Sequence, residues 1–176
     1  MRTFSLALLI LAIVPASARA DTPKRAPAKL QVTSPAFKQN GAIPRELTCD
    51  GANVAPQLSW STVPTGTKSV ALLVDDPDAT RGTFTHWLVT GIPTTVTSLD
   101  GYALPPGALT QNNDNGMPGY TGPCPPSGRH RYRFTVYALD IILPTVITRD
   151  QLLTSARGHV LATGQLVGTY ERTGGR

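Results

Sequence analysis

The chain is poor in several residue types, and each shortage excludes a class of protein. It has two cysteines and three histidines among 176 residues. Two cysteines are too few for a structural zinc site, and the histidines form no HxH or HxxxH pair, so no metal or other cofactor is predicted. Lysines and arginines never occur more than two in succession. Without a basic tract, the sequence does not indicate a nucleic-acid partner.

Long apolar runs are also missing, apart from one at the N-terminus. The first twenty residues, MRTFSLALLILAIVPASARA, contain an early arginine, an apolar run over 6–14 and the small-residue pattern Ala18-Arg19-Ala20. This arrangement is typical of a secretory signal peptide over 1–20, cleaved after Ala20. A membrane-anchoring helix is the alternative, but the run is short for a bilayer. We therefore expect an exported protein, periplasmic or secreted, without stable membrane insertion.

The residues after the signal peptide divide into a leader and a domain. Removing Arg2 and Arg19 lowers the formal charge from +5 to +3, which supports only a weak preference for anionic ligands. Residues 21–29, DTPKRAPAK, have no apolar periodicity and are predicted to be a flexible leader. Residues 30–172 remain for one domain, which is long enough to bury a core.

Export changes the interpretation of the two cysteines. In an oxidising compartment an even pair, Cys49 and Cys124, favours a disulfide, and two free thiols are the alternative. The bond would join an early loop to the loop rich in proline and glycine that contains Cys124.

Alternating apolar residues predict strands in most of the chain. Three strong strands are predicted near 68–75, 84–92 and 130–140, and shorter ones at 30–34, 58–60 and 165–170. One helix is predicted to begin at Thr148–Asp150, capped by Thr148 or Asp150, and to end near Gly158, with a continuation of the pattern to Ala162 as the alternative. Strands dominate, so the predicted class is mainly β, with a sheet sandwich.

Four polar residues stand at the ends of these strands. Asp76 ends one strand, while His86 and His130 lie near the starts of two others, and Tyr132 shares the inner face of its strand with His130. By strict alternation His86 shares a face with Leu88. If the strands are neighbours, the four residues meet at one rim and form a small pocket. The alternative is that Tyr132 is ordinary core and His130 a buried histidine with its hydrogen bonds satisfied.

Several chemistries could use such a set. A serine hydrolase would need a GxSxG turn, which is absent, and Ser127 lies in a loop without a visible oxyanion arrangement. A Cys124 nucleophile beside His130 competes with the disulfide. An anion site needs only donors: imidazole, tyrosine and the backbone N–H groups of a loop in which Gly119, Gly122 and Gly128 allow close approach. We therefore expect a binding protein, not an enzyme.

Four blocks of the sequence resemble a known family. They are TCDGANVAPQLSWSTVP, DDPDATRGTFTHW, GPCPPSGRHRYRFTVYALD and GHVLATGQLVGTY. In this order they are similar to the phosphatidylethanolamine-binding protein family, in particular its bacterial Raf kinase inhibitor-like branch, from about Leu30 to Tyr170. The resemblance implies a Greek-key β-sandwich with one or two peripheral helices and a small pocket for phosphate or phosphorylated head groups.

The resemblance also implies which residues form the pocket. The ligand-binding residues would be Asp76, His86, Gly122, Pro125, His130 and Tyr132, with a possible rim of Phe84, Pro123 and Pro126. Within this set we expect Asp76 to orient the imidazoles in preference to touching the ligand. Asp75, Asp78 and Arg81 are expected to hold their loop. The family often has proline where this chain has Thr80, so that part of the rim is expected to be looser.

Two functions follow from these observations. The first is an exported binding protein for a small anion such as phosphate or a phospholipid head group. The alternative is a protein-interaction inhibitor of a serine protease or kinase, for which the turn-rich segment 93–115 would supply the contact surface.

The signal peptide gives the first testable prediction. The exported protein should begin at Asp21, and replacing Ala20 by Phe should block processing because signal peptidase needs a small residue there. Intact-mass measurement of both proteins tests this. Recovery of an exported wild-type protein that retains residues 1–20 would contradict it.

Overall fold

A computed structural model describes residues 26–172, so the predicted signal peptide at 1–20 lies outside the described residues. Ten strands follow along the chain: β1 Ala28–Lys29, β2 Val32–Thr33, β3 Gly41–Ala42, β4 Leu58–Trp60, β5 Ser69–Asp76, β6 Phe84–Ile92, β7 Ser98–Leu99, β8 Leu109–Thr110, β9 Arg129–Leu139 and β10 Val160–Glu171. One α-helix, α1 Arg149–Ser155, and one 3-10 turn, Arg45–Leu47, complete the regular structure of this range. The prediction of a mainly β protein is confirmed.

The strands form two sheets. The larger has seven strands in the order β1-β10-β9-β5-β6-β8, with β3 also pairing with β10. The smaller has three strands in the order β2-β4-β7. In the larger sheet the neighbouring pairs β10–β9, β9–β5 and β5–β6 are all antiparallel. The two strong strands β5 and β9 are therefore adjacent, as a pocket between their ends requires.

Strand β5 is covered on both faces. All eight of its residues are buried. Val70, Leu72 and Val74 belong to the hydrophobic cluster that the two sheets share, and Ala71 and Leu73 belong to a second cluster beneath α1. Burial on both faces explains why its sequence is almost continuously apolar.

Helix α1 begins where the sequence predicted and ends earlier. The Thr148 hydroxyl accepts a hydrogen bond from the Gln151 backbone N–H, and the Gln151 side-chain oxygen accepts one from the Thr148 backbone N–H, which completes a capping box. The extension toward Ala162 is wrong, because Val160 already begins β10. The pairing of β10 with β9 along its whole length outweighs the local helical pattern.

Small residues hide the early part of β10 from pattern analysis. Gly164 lies on the face where an apolar alternation would be read, and a Cβ at this position would collide with Leu30. The strand was therefore predicted only from Gln165 onward.

The pairing of β10 also corrects the predicted extent of the leader, which does not reach Lys29. Residues Ala28–Lys29 pair in parallel with β10, so backbone hydrogen bonds order them despite a sequence without apolar residues of the right spacing.

The predicted disulfide is present between Cys49 and Cys124. It links the loop after the 3-10 turn to the proline- and glycine-rich loop before β9. Within residues 26–172, no helix has the length and apolar character needed to cross a membrane.

Removing the disulfide should destabilise the protein. The bond closes a loop of 75 residues, and a loop of that length contributes on the order of 4 kcal/mol in the chain-entropy model. The double variant Cys49→Ser and Cys124→Ser should lose about that free energy of unfolding in urea. Reduction of the wild-type protein should give the same loss, and an unchanged urea midpoint in the double variant would contradict the prediction.

Candidate functional site

A cavity of about 580 Å³ opens where β5 ends and β6 and β9 begin. Eight of the nine residues predicted for the ligand site and its rim line it: Asp76, Phe84, His86, Gly122, Pro125, Pro126, His130 and Tyr132. The lining also contains Thr80, which was expected at the rim, Cys124 of the proline- and glycine-rich loop, and seven residues outside the predicted site: Ala79, Arg81, Gly82, Thr83, Asp114, Asn115 and Thr121.

Three carboxylates at the end of β5 point in three directions. Asp75 faces the helix side of the sheet, where it contacts Arg133 at 2.7 Å and Arg149 at 3.2 Å. Asp76 faces the cavity, because successive strand residues alternate between faces. Asp78 follows the strand and accepts two hydrogen bonds from the Arg131 guanidinium, which hold the pKa of its carboxyl at about 2. Only Asp76 of the three lines the cavity.

Asp76 fixes the orientation of His130. Its Oδ2 lies 2.7 Å from His130 Nδ1, and both side chains are buried. Its Oδ1 accepts the backbone N–H of Asp78 at 2.8 Å. Both carboxylate oxygens of Asp76 thus have protein donors, and His130 keeps Nε2 as its remaining polar atom. This geometry favours the orienting role of Asp76 over direct contact with a ligand.

His86 reaches the cavity through a β-bulge. Val74 pairs with Trp87 and Asp75 pairs with Thr85, so His86 is an extra residue on β6. A bulge turns two consecutive side chains to one face. His86 therefore packs edge-on against Tyr132, with 5.1 Å between ring centroids. The strict alternation that grouped His86 with Leu88 is wrong for this reason.

The hydrogen bond of His86 defines its tautomer. His86 Nδ1 lies 2.7 Å from the carbonyl oxygen of Thr121, and a carbonyl can only accept. Nδ1 therefore carries the proton, and Nε2 is left with a lone pair. Burial lowers the pKa of His86, so the neutral form is favoured, although the hydrogen bond to Thr121 and the carboxylate of Asp76 act in the opposite direction.

Tyr132 brings a buried hydroxyl without a partner. The residue is 1% exposed, and its hydroxyl has no hydrogen-bond partner among residues 26–172. Burial raises the pKa of the phenol, so the hydroxyl stays protonated and remains a donor. Buried polar atoms in proteins are nearly always paired, and an orphan in a cavity wall is a feature that a ligand or a water would satisfy.

The loop of Gly122–Pro126 forms one wall, and the segment 47–53 holds it from behind. Gly122 N donates to Asn53 Oδ1 at 2.7 Å, and Cys49 N donates to the carbonyl oxygen of Pro123 at 3.1 Å. The disulfide adds a covalent link at Cys124. The wall is therefore fixed by contacts on the side away from the cavity.

These contacts correct the place of Pro123. It was predicted as part of the rim, but it is buried and absent from the cavity lining. Its carbonyl oxygen accepts the backbone N–H of Cys49 behind the wall, whereas Gly122 and Pro125 of the same loop line the cavity.

The opposite rim is a tight turn that carries a cation. Thr80 and Gly82 form a β-bridge, and Gly82 N donates to the carbonyl oxygen of Ala79 at 3.2 Å. Backbone hydrogen bonding thus shapes this turn, and the looser rim expected from Thr80 stays a prediction. Arg81 at its tip is exposed and contacts no carboxylate in the described part of the chain. It does not hold the loop as expected.

Sequence reasoning missed the contribution of Asp114, Asn115 and Thr121. Asp114 Oδ2 accepts the backbone N–H of Thr85 at 2.7 Å, which brings the end of the 93–115 segment against β6. The run Asn112–Gly116 has the composition of a turn, and nothing in it distinguishes a pocket residue from an ordinary turn residue.

Known proteins share this arrangement of sheets. The crystal structure of Escherichia coli YbcL, described as a member of the mammalian PEBP family, has a TM-score of 0.75 and 36% identity over 83% of this chain and all of YbcL. The PEBP homologue CT736 from Chlamydia trachomatis has a TM-score of 0.76 and 39% identity over 84% of this chain and all of CT736. The fold is thus that of phosphatidylethanolamine-binding proteins, and the finer Greek-key arrangement stays a prediction.

Sequence comparison gives the same family. The family profile described as Phosphatidylethanolamine-binding protein matches residues 33–171. A protein named UPF0098 from Methanothermobacter thermautotrophicus is 46% identical over 144 residues, which are 78% of this chain and 95% of that protein. A Mycobacterium tuberculosis relative that bears the name of a lipoprotein, LppC, is 43% identical over 157 residues, which are 86% of this chain and 77% of LppC. The chain belongs to the phosphatidylethanolamine-binding protein family.

The tight contact behind the wall gives a testable prediction. A Cβ at Gly122 would lie 2.5 Å from Leu47 O, 2.6 Å from Asn53 Oδ1 and 2.8 Å from Thr48 Cα. Gly122→Ala should therefore cost about 1–3 kcal/mol of unfolding free energy, as overpacking does elsewhere. The control is Gly128→Asn, because Gly128 has open space around it and a φ of 70° that asparagine tolerates. Equal unfolding midpoints for Gly122→Ala and wild type would contradict the prediction.

Proposed function

We propose that this cavity binds a small oxyanion, either phosphate or a phosphorylated head group, and that the chain is an exported binding protein. The observation that carries the proposal is the Tyr132 hydroxyl, a buried donor without a hydrogen-bond partner among residues 26–172, in a cavity that also contains two oriented imidazoles. A phosphoryl oxygen is the strong acceptor that this hydroxyl lacks. The proposal needs no catalytic step.

The charges around the cavity support the proposal. The three arginines of β9 already contact carboxylates: Arg129 with Glu171, Arg131 with Asp78, and Arg133 with Asp75. Arg81 differs from them because it lines the cavity and has no carboxylate contact among residues 26–172. An anion in the cavity would supply Arg81 with the negative charge that carboxylates of the protein supply to the three arginines of β9.

Three observations support export. The first twenty residues have the composition of a signal peptide. The relative LppC bears the name of a lipoprotein. The disulfide between Cys49 and Cys124 suits the periplasm or the extracellular space, where such bonds form and persist.

Removing the Tyr132 hydroxyl tests the binding site with little risk to the fold. Because the hydroxyl has no hydrogen-bond partner in the described part of the chain, Tyr132→Phe should leave the unfolding free energy unchanged or slightly higher. The same change should weaken the binding of inorganic phosphate about tenfold, the effect of one lost hydrogen bond to a charged group. Calorimetric titration of the purified protein with phosphate measures the change.

The matched control is Tyr137→Phe. Tyr137 lies on the same strand but packs against the cluster beneath α1, on the other face of the sheet. This variant should bind phosphate like the wild type. If the wild-type protein binds no phosphate, phosphoethanolamine or acetate, the proposal fails. The search for function would then move to a protein-binding surface, such as that around Tyr102, which is 88% exposed.

A further inference from the structure

The donor and acceptor pattern inside the cavity carries a further inference, which rests on the proposed function. We propose that the site selects oxyanions that still carry a proton, namely hydrogen phosphate and the monoanions of phosphomonoesters, and rejects sulfate and phosphodiesters. His86 is the residue that makes this distinction. An intact phospholipid has a phosphodiester, so the natural ligand would be a free phosphate or a phosphomonoester.

The inference begins with the fixed tautomer of His86. Its Nδ1–H is committed to the Thr121 carbonyl at 2.7 Å. The ring is held further by edge-on packing against Tyr132 and by Phe84, whose ring centroid lies 4.8 Å away. It therefore cannot rotate to present Nδ1–H without losing both the hydrogen bond and the packing. The atom that remains for a ligand is Nε2, and in the neutral ring Nε2 is an acceptor.

An acceptor in the wall changes which anions fit. An oxygen of sulfate has only lone pairs, and two facing lone pairs repel each other. An oxygen of hydrogen phosphate can carry a proton and donate it to Nε2, while the remaining oxygens accept from the Tyr132 hydroxyl and from other donors. The two anions have nearly the same size and shape, so the proton is the feature that the site can recognise.

The groups around His86 act on its protonation in opposite directions. Across the cavity it shares the lining with Asp76 from β5, Asp114 from the neighbouring segment, and His130 and Tyr132 from β9, with Arg81 at the rim, while Asp75 acts on it only through its charge from the other face of the sheet. The carboxylates favour a protonated ring, and burial opposes it as the larger effect. Sulfate can therefore bind only if His86 first takes up a proton, and this requirement weakens its binding near neutral pH.

The test is calorimetric titration of the wild-type protein with inorganic phosphate and with sulfate at pH 7.5. The expected result is a phosphate affinity higher than the sulfate affinity by about ten- to a hundredfold, the range for a polar group left unpaired in a buried site. Burial lowers the pKa of His86, so its protonation becomes more favourable only as the pH falls well below neutral; sulfate binding should strengthen in the same direction, and the ratio should fall. Affinities within threefold of each other at pH 7.5 would overturn the inference.

Two head-group probes distinguish the sources of the phosphoryl group. Glycerophosphoethanolamine is a diester and should bind as weakly as sulfate. Phosphoethanolamine is a monoester whose second pKa is about 6, so its affinity should fall as the pH rises above that value. Equal binding of the diester and the monoester at pH 6 would also overturn the inference.

The variant His86→Gln separates recognition of the proton from simple loss of the fold. The glutamine amide can donate as well as accept, so the phosphate-to-sulfate ratio should approach one. Urea unfolding of the variant checks the fold, and Arg157→Gln, a change at an exposed arginine outside the cavity, should keep the wild-type ratio. A preserved ratio in His86→Gln would overturn the role of His86. Absence of phosphate binding by the wild type would instead mean that the proposed function itself has failed.

Discussion

The contact between Asp76 and His130 is the interaction on which the site depends. A carboxylate with 3% exposure is costly to bury unless its oxygens are paired, and here one oxygen takes the imidazole and the other takes a backbone N–H. This pairing joins the end of β5 to the start of β9 at the place where the sheet stops. The carboxylate of Asp76 can therefore remain in the core without a ligand. Because Asp76 holds Nδ1 of His130, it also fixes the position of Nε2 on the other side of the ring.

The most basic part of the sequence serves a different purpose from the one its composition indicates. The alternating arginines of β9 lie on the face away from the cavity, and each is neutralised by a carboxylate of the same fold. Asp75 is shared between Arg133 and Arg149, which ties the strand to the beginning of α1. Among residues 26–172, the one lysine or arginine that lines the cavity is Arg81 on its turn, so the overall basic charge of the chain says little about the cavity.

The sequence allowed prediction of the long strands, the capped start of the helix, the disulfide and most residues of the cavity lining, because these depend on local periodicity or on motifs of fixed spacing. Three features escaped it for physical reasons. The bulge at His86 breaks the alternation of β6 through its pairing with β5, which no single segment records. Glycines on the inner face of β10 remove the apolar signal while allowing close packing. Thr121 sets the tautomer of His86 through its backbone carbonyl. Any residue type has such a carbonyl, so the sequence does not reveal this role.

Three contacts that define the cavity join distant parts of the chain. The partners are 35 residues apart for His86 and Thr121, 54 for Asp76 and His130, and 69 for Asn53 and Gly122. Each of these contacts closes a long loop, and its formation must overcome the entropy of that closure. The complete cavity therefore requires that the segments carrying these residues have docked together, and occupancy of the cavity would serve as a sensor of correctly folded protein.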